Sequence, residues 1–208
     1  MKRDMVYLAS KSPRRRSLLK KMRVRFRVVS SRYREEKLRG VRPKNVALRH
    51  AIGKVQGAIV PSCARFILGA DTIVCCRGRI LGKPGTRKEA LRMLGLLSGR
   101  VHDVCTGVAL LDRREGKIWA EVSKTGVYIE RLSRERMLQY IGKVNPFDKA
   151  GAYAIQERPK IVSRIRGSYS NVIGLPVEVV GQMLKRLGGK KKSSRFEKAA
   201  RRRRDFRV

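Results

Sequence analysis

The chain has 208 residues, 42% hydrophobic and 33% charged, which suits one packed domain and offers no apolar run near the roughly 20 residues of a membrane span. Its 52 Lys and Arg against 16 Asp and Glu give a formal charge of +36, compatible equally with a polyanionic partner and with a basic composition shared by the proteins around it. Cys63, Cys75, Cys76 and Cys105 form no CxxC pair, and His50 and His102 lie far apart, so no disulfide framework or zinc cluster is written. Reduced thiols in a cytoplasmic protein are the expectation.

In chain order, MVYLAS (5–10) reads as a strand leading into a helix, with Ser12 as N-cap and Pro13 at the first helical position, running to about Met22. Arg14, Arg15 and Arg16 crowd the first turn, where the helix dipole and unpaired N–H groups are already positive. That combination suits a bound anion such as phosphate. Arg14 and Arg15 are the better candidates, and at least one of the three faces solvent. VRFRVVSS is strand-like, and the polar RYREEKLRG holds Glu35 and Glu36. PKNVALRHAIGKVQGAIV reads as a helix, with Ala47, Ala51, Val55 and Ile59 on one stripe and Lys54 on the polar side.

RFILGADTIVCC is a buried strand, turned by RGR into ILGKP, which carries Lys83. TRKEALRMLGLL is a short helix (Thr86–Leu97), and HDVCTGVALLD and KIWAEVSKTGVYIERL form an antiparallel pair across RREGK. Ser133 caps RERMLQYIGK. Residues 99–100, 148–156 and 167–176 read as loops dense in glycine and small polar residues, the kind that carry function. GLPVEVVGQMLKRLGG is the last helix, stopped by Gly188 and Gly189. Beyond it, KKKSSRFEKAARRRRDFRV has ten basic and two acidic residues, too charged to bury. These elements predict a domain over 1–189, α/β with a mixed central sheet flanked by helices, and a disordered basic tail over 190–208.

Asp71 stands inside an apolar run, where an unpaired carboxylate costs several kcal/mol. It requires a cation, a metal or a proton-transfer role, unless it caps a local turn through Thr72. Glu35 and Glu36 are the other candidate acids, and two carboxylates from separate elements can hold Mg²⁺ against phosphate oxygens. There is no GxxxxGK[ST] phosphate loop, no GxGxxG after a strand and no nucleophile elbow.

LASKSPRRRSLL, LGADTIV, LGKP, LSGRVHDVCTG, DKAGAYAIQ and GSYSNVIGLP occur in that order, and over residues 5–187 the chain resembles the Maf (septum-formation inhibitor) family of nucleoside triphosphate pyrophosphatases. The DKAGAYAIQ and GSYSNVIGLP forms are similar to the branch acting on dTTP and UTP, in contrast to the branch preferring 7-methyl-GTP. The resemblance implies a fold like that of inosine triphosphatases and a metal-dependent diphosphatase, a hydrolase of acid anhydrides that clears the nucleotide pool. It implies Asp71 as the proton acceptor that activates water, and Arg14, Thr72 and Gln156 as residues of substrate choice. Gln156 has the donor and acceptor to read a pyrimidine edge. Ser10, Arg15, Lys54 and Lys83 would line the phosphates, and Glu35 with Asp71 would hold a divalent Mg²⁺ or Mn²⁺. A cytoplasmic homodimer is implied as well. Where the family usually carries Glu, this chain has Ser17. Two other readings are a nucleic-acid-binding protein on the same scaffold, carried by the basic surface and tail, and a purine-specific house-cleaning pyrophosphatase.

Overall fold

One seven-stranded mixed sheet organises the chain, described in a computed structural model for residues 5–36, 38 and 40–187. The elements are β1 (Val6–Leu8), α1 (Pro13–Lys21), β2 (Phe26–Val28), α2 (Pro43–Gln56), β3 (Phe66–Cys76), β4 (Arg79–Leu81), α3 (Arg87–Leu97), β5 (Val101–Asp112) and β6 (Lys117–Ile129). They continue with α4 (Arg134–Lys143), a single 3₁₀ turn (Ala150–Ala152), β7 (Val162–Arg166), α5 (Tyr169–Ile173) and α6 (Val177–Leu187). The strand order is β2-β1-β3-β5-β6-β7, with β4 paired to β3. β1 runs parallel to β2 and β3, while β3, β5, β6 and β7 form an antiparallel meander. The expected α/β architecture and mixed sheet are present.

The sheet has a core on each face. Phe66, Leu68, Ala70 and Val74 of β3 join the larger core with Leu18 and Leu19 of α1, Leu94 and Leu97 of α3, and Val180 and Met183 of α6. Ile67 belongs to the smaller core, with Tyr7, Ala51, Val55 and Ala109. The alternation follows from the two-residue period of a strand, and it decides where the polar residues of β3 point. Gly69 faces α2 so closely that a Cβ there would lie 2.8 Å from the Ala51 carbonyl oxygen. On the neighbouring strand a Cβ at Gly107 would overlap the Ala47 carbonyl. Two glycines therefore let the α2 backbone lie directly on β3 and β5. Asp71 follows Gly69 on the same face, under α2, whereas Thr72 points to the opposite face.

Several local expectations need correction. The stripe Ala47, Ala51 and Val55 is buried as expected, but α2 ends at Gln56 and Ile59 lies beyond it, 50% exposed. Ser12 is the N-cap of α1 without a side-chain capping bond; its own N–H donates to Ser10 Oγ at 3.3 Å. Residues 167–176 contain a helical turn, α5, started by Ser168, whose hydroxyl accepts from Asn171 N–H, and ended by Gly174 at φ +119°. β7 was not foreseen either. A register shift beside Tyr128 and Ile129 lets Val162 and Ile165 both be buried at a spacing of three, so the strand shows no alternation. The Gly188–Gly189 stop and the tail 190–208 lie outside the described residues.

The close approach of α2 to the sheet is testable. Gly107→Ala should lower the unfolding free energy by about 1–3 kcal/mol, because the new methyl meets backbone that cannot rotate away. Gly95→Ala, in α3 with open space around it, should be neutral or stabilising by up to about 1 kcal/mol. Urea unfolding of both variants checks the contrast.

Candidate functional site

Under α2, the last-turn residue Lys54 reaches down to the sheet. Its Nζ donates to Asp71 Oδ1 at 2.6 Å and to the Ala70 carbonyl at 3.4 Å. It also pairs with Glu35 Oε1 at 2.6 Å. The Lys54 and Asp71 side chains are only 13% and 9% exposed and that of Glu35 is 56% exposed, so the group opens to solvent on the Glu35 side. Burial alone would raise the Glu35 carboxyl, but the Lys54 ammonium outweighs it, helped by His50 and Lys83, and holds it below the usual carboxylate range. Lys83 is exposed, and its charge reaches the group from the loop after β4. Glu36, weighed as a third acid, is exposed and joins no ion pair among the described residues.

On the opposite face, the buried Arg15 guanidinium is a clamp. Its Nε donates to the Gly174 carbonyl at 2.8 Å, Nη1 to Ser10 Oγ at 3.0 Å and Nη2 to Thr72 Oγ1 at 3.1 Å. Burial lowers its pKa, while the negative charges of Asp71 and Glu35 oppose that shift. Thr72 Oγ1 lies 3.0 Å from Thr106 Oγ1, which donates to the Asn171 carbonyl at 3.1 Å. Arg14, half-buried, binds Asp148 in two ways, Nη1 to Oδ2 at 2.9 Å and Nη2 to the carbonyl at 3.1 Å. Burial would raise the Asp148 carboxyl, but bonds from Lys149 and Arg14 pull it below its ordinary value. Arg16 is exposed, the member of the trio that faces solvent.

The arrangement suits a polyanion with a cation. Glu35 and Asp71 each place an oxygen 2.6 Å from one ammonium nitrogen, so those two oxygens lie within twice that distance of each other. A small hard divalent ion takes one or two carboxylates and completes its shell with phosphate oxygens and water; this donor pair fits it. Among the described residues no group of three or more His, Cys, Asp or Glu gathers, so substrate and water would supply the remaining positions.

A family model described as Maf-like protein matches residues 5–187. A dTTP/UTP pyrophosphatase of Citrifermentans bemidjiense is 45% identical over 189 residues, covering 90% of this chain and 98% of that protein. One of Geobacter sulfurreducens is 42% identical over 189 residues, covering 90% and 99%. One of Methanosarcina barkeri is 38% identical over 185 residues, covering 88% and 94%. The chain belongs to the Maf family.

Residues of the quoted motifs and of α2 thus gather into two groups, one on each face of β3. Lys54, Asp71 and Glu35 meet on the α2 face; Ser10, Arg15 and Thr72 meet on the other. Arg14 stands apart on Asp148, and Gln156 is exposed and makes no hydrogen bond or ion pair among the described residues. Ser17, at the position where the family usually has Glu, is exposed on α1 and makes no side-chain hydrogen bond among the described residues. Sequence reasoning passed over Asp148 and Lys149, although both sit in the quoted DKAGAYAIQ. Lys149 is buried and bonds the Asn145 carbonyl at 2.7 Å and Asp148 Oδ1 at 2.6 Å. The available signal was the acid–base dipeptide at the head of a small-residue loop; its partner Arg14 is 134 residues away.

The same loop rests on a buried pair. His102 Nε2 lies 2.6 Å from the Tyr153 hydroxyl, with the rings edge to face. Burial pushes the His102 pKa down to about 4 from 6.5, against a weaker upward pull from Asp103. A ring depressed in the folded state contributes full stability above pH 6.5 and loses it as pH falls towards 4. The loss attributable to His102 across that window should approach about 3 kcal/mol. Urea midpoints at stepped pH check this: His102→Gln should show a flatter profile between pH 6.5 and 4.5, and an unchanged slope would remove His102 as its source.

Proposed function

We propose that this chain is a nucleoside triphosphate pyrophosphatase that hydrolyses dTTP and UTP to the monophosphate and pyrophosphate, removing them or related pyrimidine nucleotides from the pool. The observation that carries the reading is the buried Asp71 held by Lys54 beside Glu35, in a chain 38–45% identical to proteins named for that activity.

In this reading the oxygen of a water attacks the α-phosphorus and its proton passes to Asp71, while the bond to the bridging oxygen breaks and the electron pair leaves with pyrophosphate. Lys54 fixes the Asp71 carboxylate through Oδ1, leaving Oδ2 to take the proton. Glu35 and Asp71 would hold the divalent ion, Mg²⁺ or Mn²⁺, which when bound would neutralise phosphate charge. Arg14 and Lys83 bind the phosphates, Arg14 exchanging its Asp148 bonds for phosphate oxygens at little electrostatic cost. Arg15 acts from behind: with three of its N–H groups engaged, it fixes Ser10, Thr72 and the Gly174 loop around the substrate. Gln156, exposed on the AYAIQ loop, reads the base through its amide.

The family resemblance further supports a homodimer in the cytoplasm. No helix among the described residues is long and apolar enough to cross a membrane. The excess of Lys and Arg supports a non-specific, salt-sensitive contact with nucleic acid through the basic surface and the tail.

Asp71→Asn keeps size and hydrogen bonding and removes the proton acceptor. It should lower kcat by about 100-fold or more, the scale of general-base catalysis, with the fold retained by circular dichroism; near-native turnover would sink the assignment. A panel of nucleoside triphosphates with Mg²⁺ or Mn²⁺ tests the substrate. dTTP and UTP should be cut faster than 7-methyl-GTP, with pyrophosphate as product. Preference for the methylated purine, or release of single phosphates, would overturn the reading.

A further inference from the structure

Glu35 is carried by a stretch with few ties to the rest of the fold. Among the described residues of 34–41, its pairing with Lys54 is the one hydrogen bond or ion pair to the body of the protein. The nearest anchor lies just upstream. Ser31 forms an antiparallel bridge with Ala58, Ile59 N–H donates to the Ser30 carbonyl at 2.9 Å, and Arg32 N–H donates to the Gly57 carbonyl at 2.8 Å. Tyr33 N–H then donates to Ser31 Oγ at 3.2 Å, which turns the chain onto α2.

The Tyr33 side chain is seated in a slot made for it. A Cβ at Gly53 would overlap the edge of its ring at Cε2 and Cδ2, and a Cβ at Gly57 would lie 2.9 Å from its backbone nitrogen. Its hydroxyl is 2.8 Å from Nδ1 of His50, which is buried on α2, and the two rings meet at 57° with centroids 5.8 Å apart. His50 and Gly53, three apart, share one face of α2, and Gly57 is the C-cap just past its end. Lys54 is the next residue after Gly53, and Glu35 is two residues after Tyr33. A buried histidine in a helix is commonly no more than a satisfied core residue. Here its partner is the last fixed point before the acid that reaches Lys54.

We propose that Tyr33, seated over Gly53 and tied to His50, is a positioning residue that sets the Glu35 carboxylate beside Lys54 and Asp71 and so assembles the cation-binding half of the site. The proposal rests on the reading of Glu35 and Asp71 as ligands of the divalent ion.

The test uses the full chain and four variants: Tyr33→Phe, Gly53→Ala, Glu35→Gln and the double variant Tyr33→Phe with Glu35→Gln. Two quantities are read: the Mn²⁺ concentration giving half-maximal pyrophosphate release from dTTP, and amide hydrogen exchange at Arg32 and Tyr33 in the metal-free protein. Tyr33→Phe removes one hydroxyl, and Gly53→Ala displaces the ring while substituting a better helix former, so neither is expected to unfold the chain. Both should raise the Mn²⁺ requirement about tenfold, the lower end of what losing an orienting partner of a metal ligand costs, and both should speed exchange. In the Glu35→Gln background the Tyr33→Phe shift should vanish. A shift of undiminished size there, or an unchanged requirement in both Tyr33→Phe and Gly53→Ala, overturns the positioning role alone. An unchanged requirement in Glu35→Gln itself overturns the metal-site reading, and the positioning role falls with it.

Discussion

Lys54 is held by acceptors from two parts of the chain: the Ala70 carbonyl and Asp71 carboxylate of β3, and the Glu35 carboxylate of the segment before α2. Removing one partner of such a buried pair strands a charge at a cost of several kcal/mol, so the position of α2 on the sheet and the chemistry beneath it are tied to each other. The close seating of α2 over Gly69 and Gly107 is what brings a side chain from its last turn within 2.6 Å of a strand residue. A bulkier residue at either glycine would lift the helix, and Lys54 with it. Placing a cation in the last turn also answers the negative end of the helix dipole.

From Asp71 the site continues through the sheet. Asp71 and Thr72 are adjacent, and the pleat sends them to opposite faces. One meets Lys54 and the other meets Arg15, whose buried guanidinium ties the start of α1 to the loop after α5. Arg15 and Asp71 remain electrostatically coupled across this arrangement. The arginine cluster at the start of α1 therefore divides its labour. Arg15 is spent on internal bonds, Arg14 is held by Asp148, and Arg16 faces water. The two arginines thus have separate partners: Arg14 holds Asp148, and Arg15 holds Ser10, Thr72 and the Gly174 carbonyl.

The formal charge of +36 is mostly a property of the surface. Three acids of the site region are paired, Glu35 and Asp71 with Lys54 and Asp148 with Arg14 and Lys149, whereas Glu36 is exposed. Asp71 is conspicuous as an acid inside an apolar run, where a carboxylate needs a partner.

The sequence by itself determined the α/β class and most helices and strands, and it singled out candidate residues such as Asp71 and Lys54. Those signals are local: an apolar stripe at helical spacing in α2, an N-cap at Ser133, an acid inside a hydrophobic run, motifs in a fixed order. It did not reveal β7, because a register shift erased the alternation, nor α5, because a turn of five polar and apolar residues has no period to read. Only the tertiary structure decided which residues meet. Arg14 finds Asp148 across 134 positions, Arg15 turns inward, and Tyr33 fills the space left by Gly53. Those pairings depend on how the sheet orders its strands and on how closely α2 can approach it, quantities set by the packing of the whole chain and not by any one segment.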